Sequence, residues 1–314
     1  MTLFTASLYL LCLAFLFGSA LFVYSRNPRA SLNASYALLA LALLAWVGTL
    51  FVFGSLSQGQ ALLLVGRANF AAAALVATAA CLFVAELAGR RITHRKAIWI
   101  ETILLVLLSL ATPHIDRAET VLRGQHQTAY GSLFTLYIVH VVFYLACAVL
   151  IAFLPPPGQA NRIRRQLKLV GTGILATATV GVTTNIVLPY WYGDFRFIHV
   201  GTLSTILLLI AVGYAVFAYH LFSIHVIVRA TFVLAGLLAL ALELYSLVLS
   251  FLAHLLPLGN VQERGFAATA LVLVVNAFTQ EPVRRRLERL IDRVYYKRSP
   301  GHTHAKSRRV APAQ

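Results

Sequence analysis

The sequence predicts an all-α, polytopic membrane protein of about nine transmembrane helices, with the N-terminus outside and the C-terminus in the cytoplasm. Three observations predict it. Of 314 residues, 60% are hydrophobic and 11% charged, and the mean hydropathy is +0.80. Soluble domains average about 45–50% apolar and about 25% charged residues, so an ordinary soluble domain, a disordered chain and a fibrous repeat are excluded. Apolar runs also recur at lengths that suit a hydrocarbon core about 30 Å thick, which takes about 20 helical residues. Finally, the basic residues collect in every second connecting loop.

The first apolar run, 3–24, has no basic segment ahead of it. It is longer than the about 7–15 apolar residues of an export signal, so it is expected to stay in the membrane. Runs at 36–56 and 62–88 follow, then a short, nearly charge-free run at 97–112. The loop from Pro113 to Gly131 is the longest on the outer side and too short for a separate domain. Spans at 132–154, 168–190 and 198–219 come next, with Pro155, Pro156 and Pro157 ending the fifth. A run at 230–253 and a second short one at 266–280 complete the set. All are continuously apolar rather than alternating, which selects helix over barrel strand. Tyr190, Trp191 and Tyr192 mark an outer interface, and Tyr24, Tyr36 and Trp99 mark inner ends.

The net charge is +16, and 21 of the 26 Lys and Arg fall in one set of alternate loops and the tail. In a soluble protein that balance would point to nucleic acid. Here it points to cytoplasmic loops, no nucleic acid is expected as a partner, and the positive-inside rule sets the orientation. The alternation holds only with all nine spans counted. Cys12, Cys81 and Cys147 lie inside apolar runs and read as small buried hydrophobes. From Val283 to Tyr296 the apolar residues Val283, Leu287, Leu290, Ile291, Val294 and Tyr295 recur at helical spacing, with charge on the other face. Four regions result: 1–224, 225–281 with two further spans, an amphipathic helix at 282–298 and a disordered basic tail at 299–314.

Four stretches resemble a known family. They are Asn33 with Trp46 in the second span, and Arg67 ahead of a long apolar run with Phe83 near its end. Asn185 and Pro189 are followed by Gly201, Tyr214-Ala215 and Leu221-Phe222-Ser223-Ile224. Pro282 to Tyr296 reads PVRRRLERLIDRVYY. Residues 1 to about 298 are similar to the N-terminal multi-span membrane region of bacterial sensor histidine kinases, the seven-helix type followed by two further helices. The resemblance implies a sensor of two-component signalling in the bacterial inner membrane, with the last stretch as its junction helix. His220 and Ser223 stand where the family carries Arg and Asp. Only 18 residues follow Tyr296, and His302 and His304 lie in a polar stretch without an apolar helix. No nucleotide-binding glycine loop is visible. The expectation is a sensor without its own kinase and without enzymatic activity.

Polar groups at membrane depth are candidate functional residues, because burying them unpartnered is unfavourable. Arg67, His140, Asn185 and His199 are expected near the outer side, where they form either one ligand pocket or ordinary interhelical hydrogen bonds. Glu243, near the middle of the eighth span, is a buried acid that is either a proton-linked switch or a neutral packing residue. Glu86 and Glu101 are expected to pair with Arg90, Arg91 or Lys96 at inner ends. In the tail, Pro282, Arg286, Leu287, Leu290, Asp292 and Tyr296 are the candidate relay, either pairing with a second copy or lying on anionic lipid. No cofactor is expected, and no His, Cys or Glu cluster has metal spacing. The partners expected are the bilayer, a second copy of the chain and a cytoplasmic kinase. A transporter or channel using Glu243 and the outer polar residues is the alternative reading.

Overall fold

The computed structural model describes residues 3–219, apart from 57–58, 91 and 123–124. The chain divides into two compact units, Met1–Ile224 and His225–Gln314, and the described residues belong to the first. The expected spans at 230–253 and 266–280, Glu243, and the relay from Pro282 to Tyr296 lie outside the described residues.

The protein is mostly helical. In chain order come α1 (Leu3–Arg26), α2 (Ser31–Phe53), α3 (Gln60–Leu87) and α4 (Arg95–Ala111). Strands β1 (Asp116–Leu122) and β2 (Gln125–Tyr130) follow, then α5 (Phe134–Phe153) and α6 (Asn161–Val182). A π-helical turn at Thr183–Val187 leads into α7 (Leu188–Tyr192), and α8 (Ile198–Leu203) and α9 (Thr205–Tyr219) complete the unit. Five helical stretches are long and apolar enough to cross a membrane: α1, α2, α3, α5 and the continuous Asn161–Tyr192. α4, of 17 residues, and the Ile198–Val212 stretch are shorter. Each of the first seven apolar runs therefore forms helix, five of them at full spanning length.

The loop expected between the fourth and fifth spans corrects the all-α reading. Its residues Asp116–Tyr130 pair as an antiparallel hairpin, with Leu122 opposite Gln125. The segment is polar and short, with Thr120, Val121, Thr128 and Tyr130 supplying strand-forming side chains. A search for long apolar runs passes over such a signal.

α3 is the central element, touching α2, α4, α5, α6 and β1. Every residue from Ala77 to Ala85 is buried. A helix buried on all sides needs small residues where neighbours approach, and Ala71, Ala72, Ala74, Ala77, Ala79, Ala80 and Ala85 provide them. Bulkier α3 residues fill the gaps between elements, as where Phe83 meets the Tyr36 ring edge-on at 5.6 Å between centroids. The helix ends at Gly89, whose φ of 63° closes the last turn with Arg90 N–H bonded to the Ala85 carbonyl. α5 stops at Phe153 because Pro155 disfavours helical geometry in the residue before it.

α6 and α9 approach through small residues too. A Cβ built on Gly173 would lie 2.5 Å from the Ala211 Cβ and 3.3 Å from the Leu208 Cα. Gly173→Ala should therefore push α9 away and destabilise the fold by about 1–3 kcal/mol. Adding Ala211→Gly should recover most of the loss. Thermal unfolding in detergent of the two single variants and the double variant checks this, and equal losses in the Gly173→Ala single and the double variant would refute it.

Candidate functional site

The unit holds a cavity between α2, α3, α5 and α6, with the β-hairpin at one end. Each helix contributes one face. From α2 come Leu39, Leu43, Trp46, Leu50 and Phe53, and from α3 Gly66, Asn69, Phe70, Ala73, Ala77 and Ala80. These are spacings of three and four residues, the repeat that places side chains on one side of a helix. Gly66 and Ala80 are 14 residues apart, about 21 Å along the axis at 1.5 Å per residue. The cavity has a volume of about 110 Å³ and is partly open to the outside. Its deep end is apolar, lined by Leu39, Ala80, Ile174 and Leu208. Its polar groups gather toward the hairpin end, where Asn69, Glu119, Thr128, Tyr130 and Asn185 line it.

Asn185 is brought to the cavity by the π-helical turn. Pro189 has no N–H, so the Asn185 carbonyl four residues back loses its α-helical donor, and the chain relaxes locally into the wider turn. The Asn185 amide group bonds the Gly181 carbonyl at 3.1 Å and Thr184 Oγ1 at 3.0 Å. Gly201 of α8 packs against this turn so closely that a Cβ there would overlap the side chains of Asn185 and Thr184. Asn69 is likewise engaged through its amide hydrogens, to the Trp46 carbonyl at 3.2 Å and Thr49 Oγ1 at 3.0 Å. The remaining hydrogen-bonding group of each side chain is its amide oxygen.

The hairpin end is built by an irregularity in β1. Asp116 pairs with Tyr130 and Ala118 with Ala129, so Arg117 is an extra residue in the ladder. Side chains alternate along a strand, and residues three apart normally face opposite ways. The bulge turns Asp116 and Glu119 to one side, against Gly66 of α3. A Cβ on Gly66 would lie 2.8 Å from Glu119 Oε1 and 2.9 Å from Asp116 Oδ2. Arg67 Nε donates to the Asp116 main-chain carbonyl at 3.1 Å, and Thr128 donates to Glu119 Oε1 at 2.9 Å. Glu119 Oε2 and both Asp116 carboxyl oxygens are buried without a donor. Burial and the neighbouring carboxyl push Glu119 well above the ordinary carboxylate range, and burial, partly offset by Arg67, pushes Asp116 up as well. Aromatic rings clamp the hairpin. Tyr130 lies 4.1 Å from Phe134 and 5.3 Å from Tyr190, and His126 lies 4.5 Å from Phe53, all between centroids.

The four residues expected either to share one pocket or to make ordinary interhelical hydrogen bonds are placed separately. Only Asn185 lines the cavity. Arg67 pins the hairpin. His199 accepts or donates a bond with the Tyr9 hydroxyl at 3.0 Å and joins α8 to α1. His140 lies between α3, α4 and α5, with Nδ1 2.7 Å from Glu101 and Nε2 3.2 Å from the Ala74 carbonyl. Tyr144 donates to the same Glu101 carboxyl at 3.1 Å. Among the described residues Glu101 is thus paired across to α5 rather than with Arg90 or Lys96, and Arg91 lies outside them. It sits six residues past Arg95, beyond easy reach of the basic loop. Glu86 meets Arg95 at 2.8 Å, again not one of the three expected cations. Sequence reasoning missed Asp116, Glu119, Thr128 and Asn69. Their common side exists only because of the bulge and the hairpin docking, and neither leaves a mark at the level of residue spacing. Among the described residues no three His, Cys, Asp or Glu side chains gather as a metal site requires.

Residues 8–225 match the family described as the N-terminal 7TM region of histidine kinase. The match takes in every residue of the cavity and the hairpin. No curated protein and no solved structure matches the chain.

The raised carboxyls make hairpin docking pH-dependent. A docked hairpin holds protons that a free one releases, so docking is strongest below the unperturbed carboxyl values of 3.8 and 4.5. It weakens as pH rises from there toward the raised values. Hydrogen-exchange protection of the β1 and β2 amides, corrected for intrinsic rate, should fall between about pH 5 and about pH 8. Glu119→Gln, which cannot ionise, should flatten that dependence. Protection that rises with pH in the unmodified protein would refute the upward shift of the two carboxyls.

Proposed function

Because the chain belongs to the family of N-terminal 7TM regions of histidine kinases, we propose that it is a membrane-embedded sensor module whose input is the cavity beneath the β-hairpin. The observation that carries this reading is the extent of the family match, which coincides with the unit that builds the cavity. The chain sits in the bacterial cytoplasmic membrane, crossing it nine times, with the hairpin on the outer side and the residues after 281 in the cytoplasm. This orientation rests on the segregation of 21 of the 26 basic residues. It also places the polar mouth of the cavity toward the exterior, where a stimulus arrives.

Occupancy of the cavity shifts α2, α3 and α6 between two packings, and the shift reaches the helix at 282–298. A ligand moves such an equilibrium only by binding one packing better than the other. The elements able to carry the difference are the π-helical turn around Asn185 and the Gly173–Ala211 crossing of α6 with α9. Pro282, Arg286, Leu287, Leu290, Asp292 and Tyr296 then present the change to a cytoplasmic kinase in trans, as a helix paired with its copy in a homodimer. The apolar deep end of the cavity suits holding a ligand better than passing a hydrated solute, which favours the sensor over a transporter.

Cysteine crosslinking tests the relay. In a background with Cys12, Cys81 and Cys147 replaced by Ala, Leu287→Cys and Leu290→Cys should give disulfide-linked dimers in membranes. Filling the cavity by Ala73→Phe should change the yield at one of the two positions by about twofold or more. Absence of any dimer at both positions, or yields indifferent to Ala73→Phe, would count against the relay.

A further inference from the structure

We infer that the cavity takes a single-chain amphiphile with a protonated amine head, its hydrocarbon chain in the shaft and its ammonium group against Glu119. This rests on the cavity being the sensor's input site and adds the chemical class of the ligand.

The shape supports one chain rather than a compact ligand. The lining residues of α3 run from Gly66 to Ala80, about 21 Å along the helix axis, and the polarity of the lining is graded. The deep walls offer only dispersion and burial, gaining about 0.8 kcal/mol per methylene removed from water. A ligand that fills the shaft therefore has an apolar chain at one end and a polar group at the other.

The mouth decides what that polar group is. Asp116 is fully buried and Glu119 Oε2 is shielded, yet no N–H or O–H of the described residues meets Glu119 Oε2 or either Asp116 oxygen. The adjacent Arg67 directs its Nε to the Asp116 main chain instead of to the carboxyls. Both acids face the notch above Gly66, a residue of the cavity wall. Buried acceptors without donors are an unfilled demand, and an ammonium group supplies three donors and the opposite charge. Tyr130 and Phe53 line the same end and add cation–π attraction. A carboxylate or phosphate head would meet two acids and be repelled.

Binding is tied to a proton. In the empty site, burial and the neighbouring carboxyl favour the protonated form of Glu119. The titratable groups around it are Arg67 from α3, Asp116 on the same strand, Tyr130 and His126 on β2 and Tyr190 from α7. When an ammonium group arrives, Glu119 gives its proton to solvent and the ion pair forms. Affinity for an amine therefore rises with pH as long as the amine stays protonated. Affinity for an alcohol of equal length does not.

Three photoreactive probes test this, sharing one diazirine-bearing dodecyl chain and differing only in head: amine, alcohol and carboxylate. The full chain is placed in phosphatidylcholine nanodiscs, irradiated with each probe, and labelled peptides are located by mass spectrometry. The amine probe should label α2, α3 and α6 around Trp46, Phe70 and Gly181, in competition with plain dodecylamine and increasingly as pH rises. Glu119→Gln should reduce this labelling about tenfold or more, the loss expected for one charge-assisted hydrogen bond, whereas Glu119→Asp should retain most of it. Shaft labelling that is equal for all three heads, or indifferent to Glu119→Gln, would overturn the amine assignment and leave the cavity as a ligand site. If no head labels the shaft, the reading of the cavity as the input site falls with it.

Discussion

The docking of the β-hairpin on α3 is the contact on which the cavity depends. It rests on the absence of a side chain at Gly66, which leaves room for two carboxyls where any Cβ would collide. A single extra residue in β1 turns both acids toward that gap. Arg67, next along α3, holds the strand by its backbone. The hairpin is thus held by a main-chain bond and an aromatic clamp as well as by the state of its acids.

Behind the hairpin, α3 sets the geometry of the walls. Its alanines bring α2, α4 and α5 close, and packing of this kind is what drives helix association where water supplies no hydrophobic force. The polar set of Thr78, Thr102, Glu101, His140 and Tyr144 ties the other side of α3 to α4 and α5. One side of the central helix is therefore rigid and fully bonded. The cavity occupies the other side, where the π-helical turn and the glycine crossing of α6 are the adaptable parts.

Much of the helical frame was legible in the sequence, because hydrocarbon thickness imposes a length that apolar runs either meet or do not. The runs at 3–24, 36–56 and 62–88 coincide closely with α1, α2 and α3. The site was far less legible. Arg67, His140, Asn185 and His199 stood out as polar residues in apolar runs, but that signal reports membrane depth and says nothing of direction around the helix axis relative to neighbours. Three of them face other partners for that reason. Asp116 and Glu119 read as ordinary loop charges, since a bulge at Arg117 changes facing without changing composition. Glu101 was misassigned because proximity in sequence to a basic loop was weighed above the reach of an imidazole on another helix. The Asn185 and Pro189 pair was visible, and the missing N–H of proline explains why it marks the turn.

The Glu101–His140 contact has a consequence for how the protein is made. α4 carries the Glu101 carboxyl on a helix of 17 residues, and an acid packed against other helices needs partners. The groups that satisfy this acid are 39 and 43 residues further along, on α5. The α4 carboxyl therefore meets these partners only once α5 has been synthesised, after the intervening hairpin. During synthesis the fourth helix precedes the groups that complete its polar contacts.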